Sequence, residues 1–180
     1  MRGGQRHRSR RGRKAGGRHR PRPGKTTAVD RVRTDLEAVH LNDLVREAGL
    51  HEGADDERGS LLADLDAIRG RLDGREDLLV ESHLAHRLDV DRVVVLRCRP
   101  DRLRERLLDR GEPEPTAAEN AEAEALDIVL SEAVEAHGLD SVYEIDTTDR
   151  SPDEVAADIT AVLDGDRDPA AGMVDFTSYL

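Results

Sequence analysis

The chain has 180 residues, of which 37% are hydrophobic and another 37% charged, with two Tyr, one Phe, no Trp and a single cysteine. That length fits one α/β domain with a buried core, while the lone Cys98 excludes a disulfide framework and points to a reducing compartment. No run of about 18 apolar residues is present, which excludes a membrane-spanning helix.

The formal charge of −11 hides a split. Residues 1–23 hold ten of the 28 Lys and Arg and no acid, leaving 18 basic side chains against all 39 acidic ones in the rest of the chain. So large an excess of Asp and Glu, with arginine in place of lysine, fits a salt-loving source, where high ionic strength screens the self-repulsion. An ordinary acidic soluble protein is the alternative. The leader is low in complexity and is expected to be disordered. It reads either as an Arg/Gly arm that binds RNA phosphate or as a GC-rich gene translated in the wrong frame just before Gly24. No apolar stretch follows it, so it is not a signal peptide, and a cytoplasmic location is expected.

Gly24-Lys25-Thr26-Thr27 comes next and has the form of the closing half of a phosphate-binding P-loop. In that motif a glycine admits backbone N–H groups to a phosphate, the lysine reaches the β- and γ-phosphates, and the next hydroxyl meets Mg²⁺ at a helix N-terminus. Apart from Lys14, Lys25 is the only lysine in a chain that otherwise uses arginine, so a compact ammonium is needed there. The opening half differs: His19 stands where the motif has a glycine, and residues 2–23 contain no Val, Ile, Leu, Phe or Tyr from which to build the preceding strand.

Downstream, apolar spacing predicts a helix over 26–36, a short strand over 39–42 and a helical turn over 43–47. Residues 49–59 are polar and glycine-bearing and read as a mobile loop. Leu61, Leu62, Leu65, Ile68 and Leu72 predict a helix closed by Gly74. Strands are expected over 78–83, 93–97 and 142–146. Helices are expected before Arg110-Gly111, over 117–137, and from Ser151-Pro152-Asp153-Glu154 to about Leu163, the last with a cap, an N1 proline and an acidic first turn. The closing residues 174–180 read as a tail docked on the core. Strands alternating with helices predict a three-layer α/β fold with a parallel sheet, its central first strand missing from the sequence.

Six stretches occur in register: Gly24-Lys25-Thr26-Thr27, residues 40–47 (HLNDLVRE), residues 79–83 (LVESH), Val95-Leu96-Arg97, residues 105–111 (ERLLDRG) and residues 143–148 (YEIDTT). Together they resemble the small archaeal and eukaryotic adenylate kinases linked to small-ribosomal-subunit maturation, the family of the human coilin-interacting nuclear ATPase. The resemblance covers residue 24 to the C-terminus. It implies a P-loop nucleoside monophosphate kinase, ATP + AMP ⇌ 2 ADP, with Mg²⁺, some ATPase activity and a small-subunit ribosomal protein or pre-ribosome as partner. It also implies a monophosphate-binding segment near residues 40–63 and a lid near 109–119.

On that resemblance Lys25 neutralises β/γ-phosphate charge, Thr26 ligates Mg²⁺, Thr27 donates to the α-phosphate, and Gly24 completes the ATP site. Arg46, with Asp43 in the same stretch, clamps the AMP phosphate. Glu81 is the acid that helps hold Mg²⁺ and His83 completes an acid-x-His pair. Arg110 reaches the transferring group from the lid. Residue type alone leaves other readings open: Arg46 paired with Glu47 or Asp43, His83 as a rim histidine, and Arg106 in salt bridges. His83 and His86 lack a third ligand at metal spacing, so no structural metal is expected. The incomplete P-loop keeps open a non-catalytic ribosome-assembly or RNA-binding role.

Overall fold

The computed structural model describes residues 25–55 and 60–180. Gly24, the leader with its expected disorder, and the place of the missing first strand lie outside the described residues. In chain order the elements are α1 (Lys25–Val29), β1 (Glu37–His40), α2 (Leu41–Ala48), β2 (His51–Asp55), β3 (Ser60–Ala63), α3 (Leu65–Leu72) and β4 (Leu78–Glu81). Then follow β5 (Val93–Arg97), α4 (Pro100–Asp109), α5 (Glu114–Ala125), α6 (Ile128–His137), β6 (Val142–Asp146) and α7 (Pro152–Asp164).

All four expected strands form, as two parallel pairs. β1 lies beside β4 with His40 opposite Glu81, and β5 lies beside β6 with Arg97 opposite Asp146. Among the described residues no ladder joins β4 to β5. The β5–β6 pair is covered on both faces, which explains its nearly unbroken apolar sequence. Val93, Val95 and Val142 pack on Leu130 and Ala133 of α6. Val94, Leu96 and Ile145 face Ala28 of α1 and Val155 and Ile159 of α7. This gives the expected three layers. A third cluster, Leu41, Val45, Ile68 and Leu88, seats α2 and α3 beside β4.

Four local expectations need correction. The first helix stops at Val29 rather than running to Leu36. Leu36 N–H bonds the Thr34 hydroxyl, a side-chain turn that competes with helix, and the chain enters β1 at Glu37. The expected strand over 39–42 ends at His40, with Leu41 already buried in α2. Residues 51–55 and 60–63 pair as an antiparallel hairpin where a loop was expected, so the third helix starts only at Leu65, capped by Asp64. Finally, the helix expected over 117–137 breaks at Asp127, whose φ of 54° lies in the left-handed region. That turn directs the Asp127 carboxylate to Arg97.

The tail over 174–180 docks as expected, Val174 N–H donating to the Glu144 carboxylate at 3.3 Å, and the residues just before it dock as well. Ala170 exchanges backbone bonds with Val142 and Glu144 along the open side of β6, and Met173 N–H donates to the Glu144 carboxylate at 2.6 Å. Ser151 and Glu154 form the expected capping box at the start of α7.

Candidate functional site

Lys25 and Thr26 open α1, and Thr27 follows, half-buried, in its first turn. The helix ends at Val29, and the next residue, Asp30, turns toward the sheet. There His40, the last residue of β1, lies between two carboxylates. Its Nε2 is 3.1 Å from Asp30 Oδ1 and its Nδ1 is 3.3 Å from Glu81 Oε2. Glu81 closes β4 with its side chain only 13% exposed. Carboxylates at the C-terminal ends of parallel strands lie where α/β sheets place their chemistry. The structure therefore brings the expected acid, Glu81, to within one imidazole of Asp30, the residue that follows the helix opened by Lys25 and Thr26. His83 stands two residues farther on, exposed, within the turn in which Ser82 Oγ accepts Leu84 N–H.

The monophosphate-side candidates lie on α2. Asp43 and Arg46 face each other on the solvent side, 3.7 Å apart and both about two-thirds exposed. Arg110 is the exposed C-cap of α4. The stretch 109–119, read as a lid, spans the end of α4, a turn at Gly111 (φ 85°) and the first turns of α5.

Arg106, one turn before Arg110, has a structural setting. It donates to the carbonyls of Thr147 and Thr148 at 3.1 and 2.5 Å, and to Cys98 Sγ at 3.2 Å. It thereby ties α4 to the loop after β6. An open cavity of about 310 Å³ sits over this junction, lined by Arg102, Glu105, Arg106, Asp109, Thr148 and Asp149. Cys98 is buried, and that burial pushes its thiol pKa up despite the nearby Arg106 charge. It is an inert thiol.

Sequence reasoning assigned no role to Asp30, His40 or Arg97. Arg97 is 1% exposed and bonds three carboxylates: Glu124 Oε1 at 2.7 Å, Glu144 Oε1 at 2.5 Å, and Asp127. Burial alone lowers its pKa, but the Glu124 hydrogen bond and the Glu124 and Asp127 charges outweigh it and hold the guanidinium firmly protonated. Phe176 of the tail covers the guanidinium at 5.3 Å. A signal was present in the sequence: Val93, Val95 and Arg97 share one face of a buried strand, so the last needs buried partners.

His86 is also structural. It is buried and meets Glu132 of α6 at 2.8 Å, a carboxylate that Arg87 also bonds. Among the described residues no group of three His, Cys, Asp or Glu forms a metal site. Mg²⁺ in nucleotide enzymes needs no such cage, since it takes one or two carboxylates plus substrate phosphates and water. A single half-buried carboxylate, Glu81, fits that demand.

The AAA domain family model matches residues 20–127. A protein of Natronomonas pharaonis described as "Putative adenylate kinase" is 64% identical over 160 residues, covering 89% of this chain and 95% of its own length. Proteins of the same description from Halobacterium salinarum and Methanothermobacter thermautotrophicus are 63% identical over 161 residues and 45% identical over 163, with the same coverage. Among the described residues no helix is long and apolar enough to cross a membrane.

Proposed function

This chain belongs to the archaeal adenylate-kinase family of those relatives, a group with a P-loop NTPase fold, and from that premise we propose that it transfers the γ-phosphoryl group of ATP to AMP. The observation that carries the reading is the junction just described. The helix opened by Lys25-Thr26-Thr27 leads, through Asp30 and His40, to the half-buried carboxylate of Glu81.

Phosphoryl transfer between nucleotides depends on positioning and on neutralising charge. Lys25 and the N–H groups that open α1 take the β- and γ-phosphates, and Thr27 donates to the α-phosphate. Thr26 and Glu81 would hold Mg²⁺, which when bound supplies positive charge that offsets the phosphates. Arg46 takes the AMP phosphate, with Asp43 releasing it. Their exposed pair is worth at most about 1 kcal/mol, whereas charge-assisted bonds to a phosphate are each worth about 1.5–3 kcal/mol, so the exchange favours the substrate. Arg110 reaches the transferring group as the segment 109–119 closes, and His83 orients the attacking oxygen.

The acid-x-His pair at Glu81 and His83 also favours a second reading, ATP hydrolysis coupled to maturation of the small ribosomal subunit with a ribosomal protein as partner. The two readings differ in one assay. Incubation with Mg²⁺ and ATP, with and without AMP, is followed by quantifying ADP and inorganic phosphate. ADP that appears only with AMP, two for each ATP consumed and without phosphate, supports the kinase. Equal ADP and phosphate indifferent to AMP, together with co-purification of a small-subunit ribosomal protein, supports the switch and overturns the kinase.

A further inference from the structure

The geometry points to His40 as the positioning residue for Glu81, an inference that rests on the kinase reading above. Three elements meet at this one ring. His40 ends β1 and directly precedes α2, the helix that carries Asp43 and Arg46. Its Nε2 faces Asp30, just past the end of α1, and its Nδ1 faces Glu81 at the end of β4.

The ring presents one nitrogen to each carboxylate, Nδ1 at 3.3 Å to Glu81 and Nε2 at 3.1 Å to Asp30. In that arrangement one imidazole pins the Glu81 carboxylate from one side and the end of the phosphate-binding helix from the other. The Glu81 side chain is 13% exposed and that of His40 26%, so solvent does little to hold either in place. Free carboxylate torsions are broad, and a metal-binding carboxylate needs a second group to fix its plane. Of the three elements His40 is also the only one that leads into the monophosphate side. The helix that carries Arg46 and the acid of the ATP side therefore meet at this side chain. His40 itself touches neither nucleotide in this account; it acts through Glu81.

Two conservative substitutions separate the halves of the bridge. In His40→Asn the amide nitrogen stands near the place of Nδ1 and reaches Glu81 alone. In His40→Gln it stands near the place of Nε2 and reaches Asp30 alone. ATP affinity is measured by calorimetry with and without Mg²⁺, alongside kcat for ADP formation and the melting temperature, for wild type, His40→Ala, His40→Asn and His40→Gln. Removal of such a supporting group costs about 10- to 100-fold in metal affinity or activity. The expected result is that His40→Ala loses that much of the Mg²⁺-dependent gain in ATP affinity and of kcat, His40→Asn recovers most of both, and His40→Gln recovers neither while melting like wild type. A Mg²⁺ effect within twofold of wild type in His40→Ala overturns the inference, and so does recovery by His40→Gln equal to that by His40→Asn. A wild type that neither binds Mg²⁺–ATP nor forms ADP overturns the kinase reading itself, and the inference falls with it.

Discussion

Lys25 and Arg97 show how much the kind of cation matters at a single position. Arg97 is planar and forked, and it uses that shape to bond three carboxylates at once inside the protein. Removing the cation leaves Glu124, Asp127 and Glu144 facing each other without compensation. Loss of one partner from a buried ion pair costs about 3–5 kcal/mol. Arg97→Met is expected to lower the unfolding free energy by that amount in urea titration; a loss under 1 kcal/mol would show the cluster to be hydrated. In the proposed function position 25 calls for the opposite, a compact ammonium that fits beside a phosphate held by backbone N–H groups. Lys25→Arg is expected to lower kcat by about a hundredfold or more, read in the ADP assay, with an unchanged melting temperature. The sequence singles out the second residue, because it is one of only two lysines in an arginine-rich chain. It left the first obscure, because the partners of Arg97 lie 27, 30 and 47 positions away.

Elements were legible where their causes are local. The Val-rich run of β5, the Val142-Tyr143-Glu144-Ile145 run of β6 and the Ser151–Glu154 capping box of α7 stand where the sequence pattern puts them. The β2–β3 hairpin was hidden because His51-Glu52-Gly53 has no β-branched residue, and its pairing is specified by the partner strand instead. The break at Asp127 was hidden for the same reason, since its cause is Arg97. α7 also carries a pH dependence. Asp158 accepts from Arg150 at 2.6 Å and Arg167 at 2.9 Å, and the Arg150 hydrogen bond holds its carboxyl below the usual range. A carboxyl depressed in the fold contributes stability above its unfolded value of about 4 and loses it as pH falls through the lower folded value. Asp158→Asn is therefore expected to cost about 1 kcal/mol at pH 7, discounted because both arginines are a third exposed. Urea titrations should show the same gap at pH 5 and a closing gap below about pH 4. A gap that widens on acidification contradicts the assignment.

At the scale of the whole molecule, charge dominates. From residue 24 onward acids outnumber bases by 39 to 18, and the fold must hold that excess together. Raising the ionic strength from 0.1 M to 1 M shortens the Debye length from about 10 Å to about 3 Å and removes most repulsion between exposed carboxylates. A melting temperature that climbs steeply over that range is expected, and one indifferent to salt would count against a high-salt habitat. The layers of the fold and the four parallel strands were readable from hydrophobic runs, but the meeting of α1, β1 and β4 at His40 was not. Each contributes one polar residue at an element's end, and only the tertiary fold makes them neighbours. On that meeting the functional account depends. The most direct test is to follow the label from [γ-³²P]ATP with Mg²⁺ and AMP, for wild type and Lys25→Ala. The account predicts labelled ADP from the wild type and a strong loss in the variant. Label found only in inorganic phosphate, or equal transfer by both proteins, would contradict it.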